Sequence, residues 1–381
     1  MGYKKLVIIP FYVFEKRTNT IFSVKKLIEK GVSVEYWNVS AITHVVELRN
    51  EIIDGVEERV FTSKAQFGKF VKENAPKDAL YIVFMTYAPF TYFCYRALSR
   101  KQLDIGYCVS GLLPSPQSNQ NSIEHIKSIQ KKLFNSKSWE SLLYSLLKKT
   151  PLLKPLKIQL NTSGLCRVEY KTDKNTLFIP FNSLDYETSR CQEDNLIGEP
   201  YIVFLDQMLP NHPDNKIVGY QDLNAELYYA QLNKFFDTIE NKYKCKVVIA
   251  AHPVAEDYKE NNPFGGRDIF FYKTQILTKY SIGVISHYTT AYSYAILFQK
   301  PAIVLISDEM VEKMKRPYEY CLMFSSTLNW PLINIDNLNG DIAFNDVDFA
   351  LYDKYKYDYV TNKESETCSN AEILYNILRQ F

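Results

Sequence analysis

The sequence is poor in glycine, with 13 glycines among 381 residues, and it contains neither a GxGxxG nor a GxxxxGK[ST] stretch. Such stretches let the backbone approach the phosphates of a nucleotide closely, so their absence argues against NAD-dependent dehydrogenases and P-loop enzymes. No apolar run reaches the length of about 20 residues that a membrane-spanning helix needs. The apolar run near residue 6 is also too short and interrupted for a secretory signal, so we expect a cytoplasmic protein.

The chain also lacks a strong excess of charge of either sign, since its net charge is +2. That balance gives no reason to expect a nucleic-acid partner. The seven cysteines are an odd number and none forms a CxxC pair, which is typical of a reduced intracellular protein. Apolar residues make up 46% of the chain, so it can build a large core, and its length fits two domains.

Short apolar runs alternate with stretches of helical periodicity in two regions of the chain. In the first region, residues 4–13 have the pattern of a buried strand and residues 20–31 the pattern of a helix. In the second region, residues 200–207, 246–253 and 282–286 have the pattern of buried strands. Such alternation predicts an α/β protein with two Rossmann-like, doubly wound domains facing a cleft.

A basic segment separates the two regions. Residues 121–159 carry eight lysines against two glutamates, a net charge of +6, with leucines at helical spacing. This pattern favours basic amphipathic helices that meet an anionic membrane surface, although a helical excursion with a solvated lysine face has the same pattern. The predicted domains are an N-terminal Rossmann-like domain over 1–115, a basic helical insertion over 116–174, a C-terminal Rossmann-like domain over 175–340, and a tail over 341–381 that packs back on the N-terminal domain.

Polar residues stand at the ends of three predicted strands in the second region. Asp206 ends the first of these strands, His252 the second and Ser286 the third. Ligands of open parallel sheets bind beyond the carboxyl ends of the strands. We therefore expect the three turns to form a single pocket.

The residues after the second and third of these strands have the chemistry of a phosphate-binding site. Thr289 and Thr290 precede a predicted helix, whose free amide groups and positive end bind anions, although capping alone would also explain the two threonines. His252 can bond a phosphate or the edge of a base, and Pro253 fixes the direction in which the chain leaves the strand. A purely structural strand-end histidine is the alternative.

Four stretches in this region resemble bacterial surface-polysaccharide glycosyltransferases of the GT-B architecture. They are FLDQMLPNHPD, AAHPVAEDY, NPFGGRDIFFYKT and SHYTTAYSYAILFQKPAIVLISDE, and the resemblance covers roughly residues 175–309. The HP motif and the Ser/Thr-rich motif are similar to those of bacterial sialyltransferases and related enzymes that use CMP-activated acidic sugars. The resemblance implies that His252 contacts the nucleotide phosphate of the donor and that the Ser/Thr cluster holds it. The acidic-acidic-glycine motif of classical sialyltransferases is absent, which leaves the base and the donor sugar open.

These features predict an inverting, metal-independent glycosyltransferase. Its donor would be a nucleotide sugar, with a CMP-linked acidic sugar favoured, and no further cofactor is expected. An acceptor hydroxyl attacks the anomeric carbon and a carboxylate takes its proton, for which we predict Asp206, with His212 and Asp214 as the alternative acid–base pair. Glu256 is expected to bond a ribose hydroxyl. The residues predicted to bind the nucleotide and its phosphate are His252, Pro253, Glu256, Arg267, Lys273, Ser286, Thr289 and Thr290.

The N-terminal domain is expected to bind the acceptor, an oligosaccharide or a glycolipid of the bacterial surface. Polar residues follow two of its predicted strands, although ordinary loop chemistry also explains them. The predicted acceptor-side residues are Glu15, Arg17, Thr86 and Tyr87. The enzyme would then work at the inner face of the bacterial membrane.

Two other classes of function stay open. His212, Asp214, His252 and His287, with Asp257, could form the metal site of a hydrolase, although no HExxH or HxHxD spacing is present. A DxD stretch at residues 346–348 could form a site for a metal ion and a nucleotide. The motif is short and common, however, and this copy lies in a tyrosine-rich tail. The third class is a non-catalytic protein that binds a nucleotide or a glycan and has kept the fold.

Overall fold

A computed structural model of the chain describes residues 2–11, 16–43, 53–109, 113–115, 136–166, 168 and 170–380. The chain forms two compact units, each built around one parallel sheet. The first unit comprises Met1–Leu112, Ser118–Glu187 and Tyr357–Phe381, and the second comprises Leu113–Gln117 and Thr188–Lys356.

The strands form two all-parallel sheets. The sheet of the first unit has the order β3-β2-β1-β4-β5-β6-β7, and its strands are β1 (Lys5–Pro10), β2 (Ser33–Asn38), β3 (Val56–Val60), β4 (Ala79–Phe84), β5 (Asp104–Val109), β6 (Ile158–Asn161) and β7 (Leu177–Pro180). The sheet of the second unit has the order β10-β9-β8-β11-β12-β13, and its strands are β8 (Tyr201–Leu205), β9 (Lys246–Ala251), β10 (Ile269–Phe271), β11 (Gly283–Ser286), β12 (Ala302–Ile306) and β13 (Leu332–Asn334).

Helices connect the strands. In chain order they are α1 (Lys16–Phe22), α2 (Val24–Glu29), α3 (Ser40–Thr43), α4 (Lys64–Asn74), α5 (Tyr92–Arg100), α6 (Ser136–Lys149), α7 (Leu184–Ser189), α8 (Asp214–Val218), α9 (Ala225–Tyr243), α10 (Thr274–Tyr280), α11 (Tyr292–Leu297), α12 (Asp308–Lys313), α13 (Lys315–Leu328), α14 (Phe349–Tyr355) and α15 (Asn370–Gln380). A 3₁₀ helix covers Glu256–Lys259 and a π-helical turn covers Lys356–Val360.

The continuous apolar runs of the strands are explained by burial on both faces of each sheet. In β1, Val7 and Ile9 belong to a core cluster on one face, while Leu6 and Ile8 belong to a cluster on the other. The second cluster includes Ala371, Leu374, Ile377 and Leu378 of α15. The last helix of the chain is therefore part of the core of the first unit.

The second sheet is buried in the same way. All residues of β8 are buried, and β9 is buried from its second residue onward. Helix α9 begins at a capping residue, Asn224, whose side chain accepts a hydrogen bond from the Leu227 N–H at 3.1 Å. Its apolar face, with Phe235 and Phe236 fully buried, covers the sheet.

The predicted fold class, with two Rossmann-like doubly wound units, is confirmed, but the predicted boundaries differ from the observed ones. β7 lies at residues 177–180, inside the predicted C-terminal domain, yet it pairs with β6 in the first sheet. The second unit resumes at Thr188 rather than at residue 175. The predicted tail also divides, because residues 341–356 belong to the second unit and the residues after them to the first.

Two predicted helical segments also differ. The helix expected over residues 20–31 is two short helices, because Ser23 adopts a left-handed φ of 48° between α1 and α2. Of the predicted basic insertion, residues 116–135 lie outside the described residues. Its remainder contains α6 and also β6, the sixth strand of the first sheet.

Candidate functional site

The candidate site lies at the carboxyl edge of the second sheet, where the strand order reverses. If β8 is counted as the first strand, the sheet runs third, second, first, fourth, fifth, sixth, which is the Rossmann order. β8 therefore lies between β9, the next strand in the chain, and β11. The chain passes from β8 outward to β9 and β10 on one side and then returns to β11 on the other side of β8, and the crevice between the carboxyl ends at such a reversal is where these sheets bind ligands.

The turns that follow β8, β9 and β11 contact one another. The backbone N–H of His252 points at Oδ2 of Asp206 from 3.4 Å. The side-chain oxygen of Gln207 accepts a hydrogen bond of 3.0 Å from the backbone N–H of Tyr288. The three turns thus lie together, as expected from the sequence.

Asp206 is a buried carboxylate beneath these turns, with 6% of its surface exposed. Its Oδ1 accepts a 3.0 Å hydrogen bond from the Met208 N–H, and its Oδ2 faces His252. Burial raises the pKa of Asp206 to about 6, although these backbone N–H groups oppose the shift. Because the carboxylate of Asp206 is buried and accepts backbone N–H groups, its geometry favours a role in fixing the turns over the predicted role as the base.

Two histidines lie side by side at the same edge. The ring centroids of His212 and His252 are 4.8 Å apart and the rings are nearly perpendicular, at 76°. Nδ1 of His212 accepts a 3.1 Å hydrogen bond from the Asp214 N–H, and Nδ1 of His252 faces the Val254 N–H at 3.4 Å. A ring nitrogen that accepts a hydrogen bond carries no proton, so each neutral ring holds its proton on Nε2.

The electrostatics of His252 suit a neutral donor. Burial and, to a lesser extent, the nearby His212 lower the pKa of His252 to about 4, while Asp214 opposes the shift. The ring is therefore neutral at physiological pH and offers an Nε2–H to a ligand. The carboxylate of Asp214, whose Oδ2 is 3.8 Å from Nδ1 of His212, is mostly exposed.

His287 has a structural role. It is fully buried, its Nε2 is 2.8 Å from the hydroxyl of Tyr228, and its Nδ1 is 2.9 Å from the carbonyl oxygen of Leu305. A carbonyl can only accept, so Nδ1 carries the proton and Nε2 accepts from the tyrosine. Burial lowers the pKa of His287 to about 4, although the Leu305 bond opposes the shift. This histidine connects β11 to β12 and α9.

The Ser/Thr cluster contains one buried residue with a structural role and two residues that are accessible to a ligand. Ser286 is fully buried and its hydroxyl donates a 2.7 Å hydrogen bond to the carbonyl of Leu205 in β8, so it is not placed to bind a phosphate as predicted. Thr289 is partly exposed, and its hydroxyl accepts the Ala291 N–H at 3.1 Å. Thr290 is exposed just before α11. The two threonines are therefore the accessible hydroxyls of the cluster.

Three further predicted residues also lie at the carboxyl edge. Pro253 and Glu256 follow β9 and are exposed, and Glu256 is the first residue of the 3₁₀ helix. Lys273 follows β10, with its ammonium 3.4 Å from a carboxylate oxygen of Glu193.

Arg267 lies elsewhere, which corrects its predicted role. It precedes β10, so it lies toward the amino ends of the strands. Its guanidinium bonds Glu240 at 2.7 Å and Asp237 at 2.6 Å, both on α9, and also Asn233. It joins α9 to the loop before β10 and cannot bind a ligand at the opposite edge.

The predicted acceptor-side residues belong to the first unit. Glu15 lies outside the described residues, and Arg17 is exposed on α1. Thr86 is exposed after β4. The hydroxyl of Tyr87 donates a 2.9 Å hydrogen bond to the carbonyl of Tyr144 in α6, so it holds that helix, and burial raises its pKa to about 12.

Sequence reasoning missed three residues that support the site. Gln207 joins the turns after β8 and β11, Tyr228 bonds His287, and Tyr258 bonds the carboxylate of Asp206. In the sequence, Tyr228 and Tyr258 have the spacing of ordinary core aromatics. Gln207 gave a local sign of its role, because it directly follows Asp206 at the end of a predicted strand.

The histidine–acid set proposed for a metal hydrolase does not assemble. His287 is enclosed by its own hydrogen bonds, away from His212 and His252. Within the described ranges, no group of three or more His, Cys, Asp or Glu side chains could hold a metal ion. In the DxD stretch, Asp348 caps α14 by accepting the N–H groups of Ala350 and Leu351 at 3.0 and 3.1 Å.

No protein-family model and no curated protein sequence matches the chain. Among solved structures, a variant of the wall teichoic acid polymerase TagF has 10% sequence identity and a TM-score of 0.50 over 100% of this chain and 90% of that chain. The calicheamicin glycosyltransferase CalG4 has 10% identity and a TM-score of 0.46 over 99% of this chain and 94% of that chain. The UDP-GlcNAc 2-epimerase of Methanocaldococcus jannaschii has 12% identity and a TM-score of 0.46 over 99% of this chain and 100% of that chain.

At such low identity these similarities concern the fold alone. The two doubly wound parallel sheets define a GT-B-type fold, shared with the wall teichoic acid polymerase. Of the helices that the structure describes, none has the length and apolar character needed to cross a bilayer.

We predict that His287 makes the stability of the second unit depend on pH. Its folded pKa of about 4 lies below the ordinary value of 6.5, so its contribution to stability is complete above pH 6.5 and is lost as the pH falls toward 4. The expected loss is about 3 kcal/mol, from 1.36 kcal/mol for each pKa unit. Urea unfolding at a series of pH values measures it.

His287→Asn isolates this contribution, because Asn does not titrate in this range. The variant should be less stable than the wild type at neutral pH, and the difference should shrink in acid. Asp206 has a raised pKa, so its contribution to the free energy of unfolding falls as the pH rises. Because both proteins contain Asp206, this contribution cancels from the difference between them. A difference in unfolding free energy that stays constant with pH would refute the prediction.

Proposed function

We propose that the protein is a glycosyltransferase that takes a sugar from a nucleotide donor and transfers it to a glycan acceptor. The observation that carries the proposal is the meeting of three strand-end turns at the reversal point of a Rossmann-type sheet. There, the rings of His212 and His252 and two threonine hydroxyls lie at the edge where such sheets bind phosphates. A non-catalytic nucleotide-binding protein is the second candidate, because binding groups alone do not require turnover.

The donor phosphate would be held by His252 and the two threonines. His252 offers an Nε2–H, and Thr289 and Thr290 offer hydroxyls. Lys273, at the end of β10, supplies a positive charge. These groups stabilise the charge that develops on the phosphate as its bond to the anomeric carbon breaks, without requiring a metal ion.

The base would be Asp214. It is the exposed carboxylate beside the histidine pair, whereas Asp206 is enclosed. The acceptor oxygen would form a bond to the anomeric carbon while its proton passes to Asp214, and the nucleotide would leave from the opposite face with the bonding pair. Asp206 would position the turn that carries His252.

The nucleotide would be a cytidine phosphate, and its sugar an acidic one. This choice rests on the resemblance of the HP and Ser/Thr-rich motifs to enzymes that use CMP-activated sugars. One related structure is described as a complex with UDP-GlcNAc and UDP, so uridine nucleotides belong in any test.

We predict that one nucleotide among CMP, CDP, UDP and GDP raises the melting temperature, with or without EDTA. Saturation at about 100 times Kd stabilises a protein by about 2.7 kcal/mol. His252→Ala should abolish the shift, because it removes the phosphate donor. Differential scanning fluorimetry and calorimetry measure the two effects.

Arg267→Ala is the matched control, because Arg267 lies toward the amino ends of the strands. It should bind the nucleotide with unchanged affinity despite a lower melting temperature. Failure of all four nucleotides to bind would refute the proposed function. A shift that disappears with EDTA would contradict metal independence.

We predict that Asp214→Asn lowers the rate of transfer by about 10² to 10⁴-fold, the usual contribution of a general base. Nucleotide affinity should stay unchanged, because the amide still permits the backbone contact to His212. Activity and affinity are measured with the nucleotide sugar identified by the binding panel.

A joint fall in affinity and activity would mean that Asp214 only orients His212. Normal activity would remove it from the mechanism. Nucleotide binding by the wild type without transfer to any glycan acceptor would favour the non-catalytic candidate.

The acceptor would be presented at the cytoplasmic face of a membrane, with α6 as the contact. Tyr87 holds one side of α6 through the carbonyl of Tyr144. Leu143 and Leu146 are each 54% exposed on this helix, and Lys149 is exposed beside them. Exposed leucines next to lysines suit the headgroup region of an anionic bilayer.

We predict that the protein co-sediments with vesicles containing phosphatidylglycerol at low salt and is released at high salt, because screening weakens the attraction of the lysines. Changing both Leu143 and Leu146 to Ser should reduce binding. The paired change of Leu196 and Leu227 to Ser is the control, since these leucines are 45% and 44% exposed in the second unit. Equal binding by both variants would exclude α6 as the contact.

A further inference from the structure

Tyr272 has an unusual backbone conformation next to the candidate site. It directly follows β10 at the carboxyl edge of the second sheet, with a φ of 60°. Its side chain is 56% exposed. Left-handed φ values cost a residue with a Cβ about 1–2 kcal/mol, and bulky residues rarely adopt them.

Glycine adopts a left-handed conformation without the strain that a tyrosine incurs. The chain uses Gly265 and Gly266 for two other left-handed positions, at φ values of 63° and 81°, shortly before β10. A large ring that is more than half exposed contributes little to the core. Strained backbone kept at the edge of a site is typical of functional residues.

The tyrosine lies beside the HP motif. Phe271, the residue before it, pairs with Ala251, the residue before His252. The hydroxyl of Tyr272 is 3.4 Å from the carbonyl oxygen of Pro253. Val254, next in the chain, is 47% exposed. An aromatic ring and an exposed valine therefore flank the proposed phosphate donor.

The strand order gives the direction in which a nucleotide lies. The proposed phosphate groups follow β9 and β11, and Rossmann-type sheets place an acidic residue for the ribose after the second strand, which here is β9. Glu256 follows β9. β10 is the next strand outward, about 10 Å from β8 at two strand spacings. A base extending beyond the ribose would reach the end of β10.

We infer that the ring of Tyr272 is the stacking platform for the nucleobase of the donor, with Val254 beside it. The inference rests on the proposed function, and it places the base beside the Tyr272 ring at the end of β10, while the phosphate stays with His252 and the two threonines, within the reach of the Lys273 charge. Stacking on an aromatic ring stabilises any base, so Tyr272 sets affinity for nucleosides over bare phosphates.

The test compares Tyr272→Gly, Tyr272→Phe and the wild type with CMP and UDP by calorimetry. Tyr272→Gly should lose about tenfold or more in nucleotide affinity, while its melting temperature does not fall, because glycine relieves the left-handed strain. Tyr272→Phe should bind like the wild type, since it loses only the hydroxyl. Phe349→Ala, which removes another exposed ring, 58% exposed, is the matched control and should bind normally.

Tyr272→Trp gives a direct readout of stacking. The tryptophan emission that the variant has in excess of the wild type should be quenched by the nucleotide. Pyrophosphate, which has no base, should not quench it. Unchanged nucleotide affinity in Tyr272→Gly, or an unquenched tryptophan at saturating nucleotide, would overturn the inference while leaving the proposed function intact. A wild type that binds no nucleotide would refute both.

Discussion

The candidate site depends on the parallel pairing that holds β8 between β9 and β11. A parallel ladder fixes the direction of each strand as well as its register, so all three strands end at one edge. Their turns then begin about one strand spacing apart, close to 4.8 Å. Gln207 and Tyr288 bond for this reason, although 81 residues separate them in the chain. The same ladder requires buried, apolar strands, which explains why the polar residues are concentrated at the strand ends.

The polar residues at this edge form two layers with different tasks. The lower layer is buried and consists of Asp206, Ser286 and His287. Each of these side chains forms hydrogen bonds with backbone groups of the protein. They satisfy backbone groups that would otherwise be buried without partners. His212 and His252 lie above them with Nε2 directed away from their own backbone contacts. A rigid lower layer of this kind holds ligand-facing groups in place before a ligand arrives.

The sequence was sufficient to predict β8, β9 and β11 and the meeting of their turns, because apolar runs such as that of β8 have few alternatives to burial. It could not show the depth of Asp206, since that depends on Tyr258 and on a backbone amide that follows a different strand. Arg267 was assigned to the wrong edge because β10 is only three residues long, so a small shift in its bounds decides the side. The placement of β7 in the first sheet depends on pairing with β6, which no local pattern reveals.

The second unit is an insertion within the first. Apart from Leu113–Gln117, it runs from Thr188 to Lys356, and the last helix, α15, then supplies Ala371 and Leu374 to the core that β1 began. During synthesis the second unit can be completed while the first still lacks part of its interior. The unit that is translated first is thus the one that is completed last, because part of one face of its sheet stays uncovered until α15 is made, and loss of α15 alone would harm the amino-terminal unit rather than its neighbour.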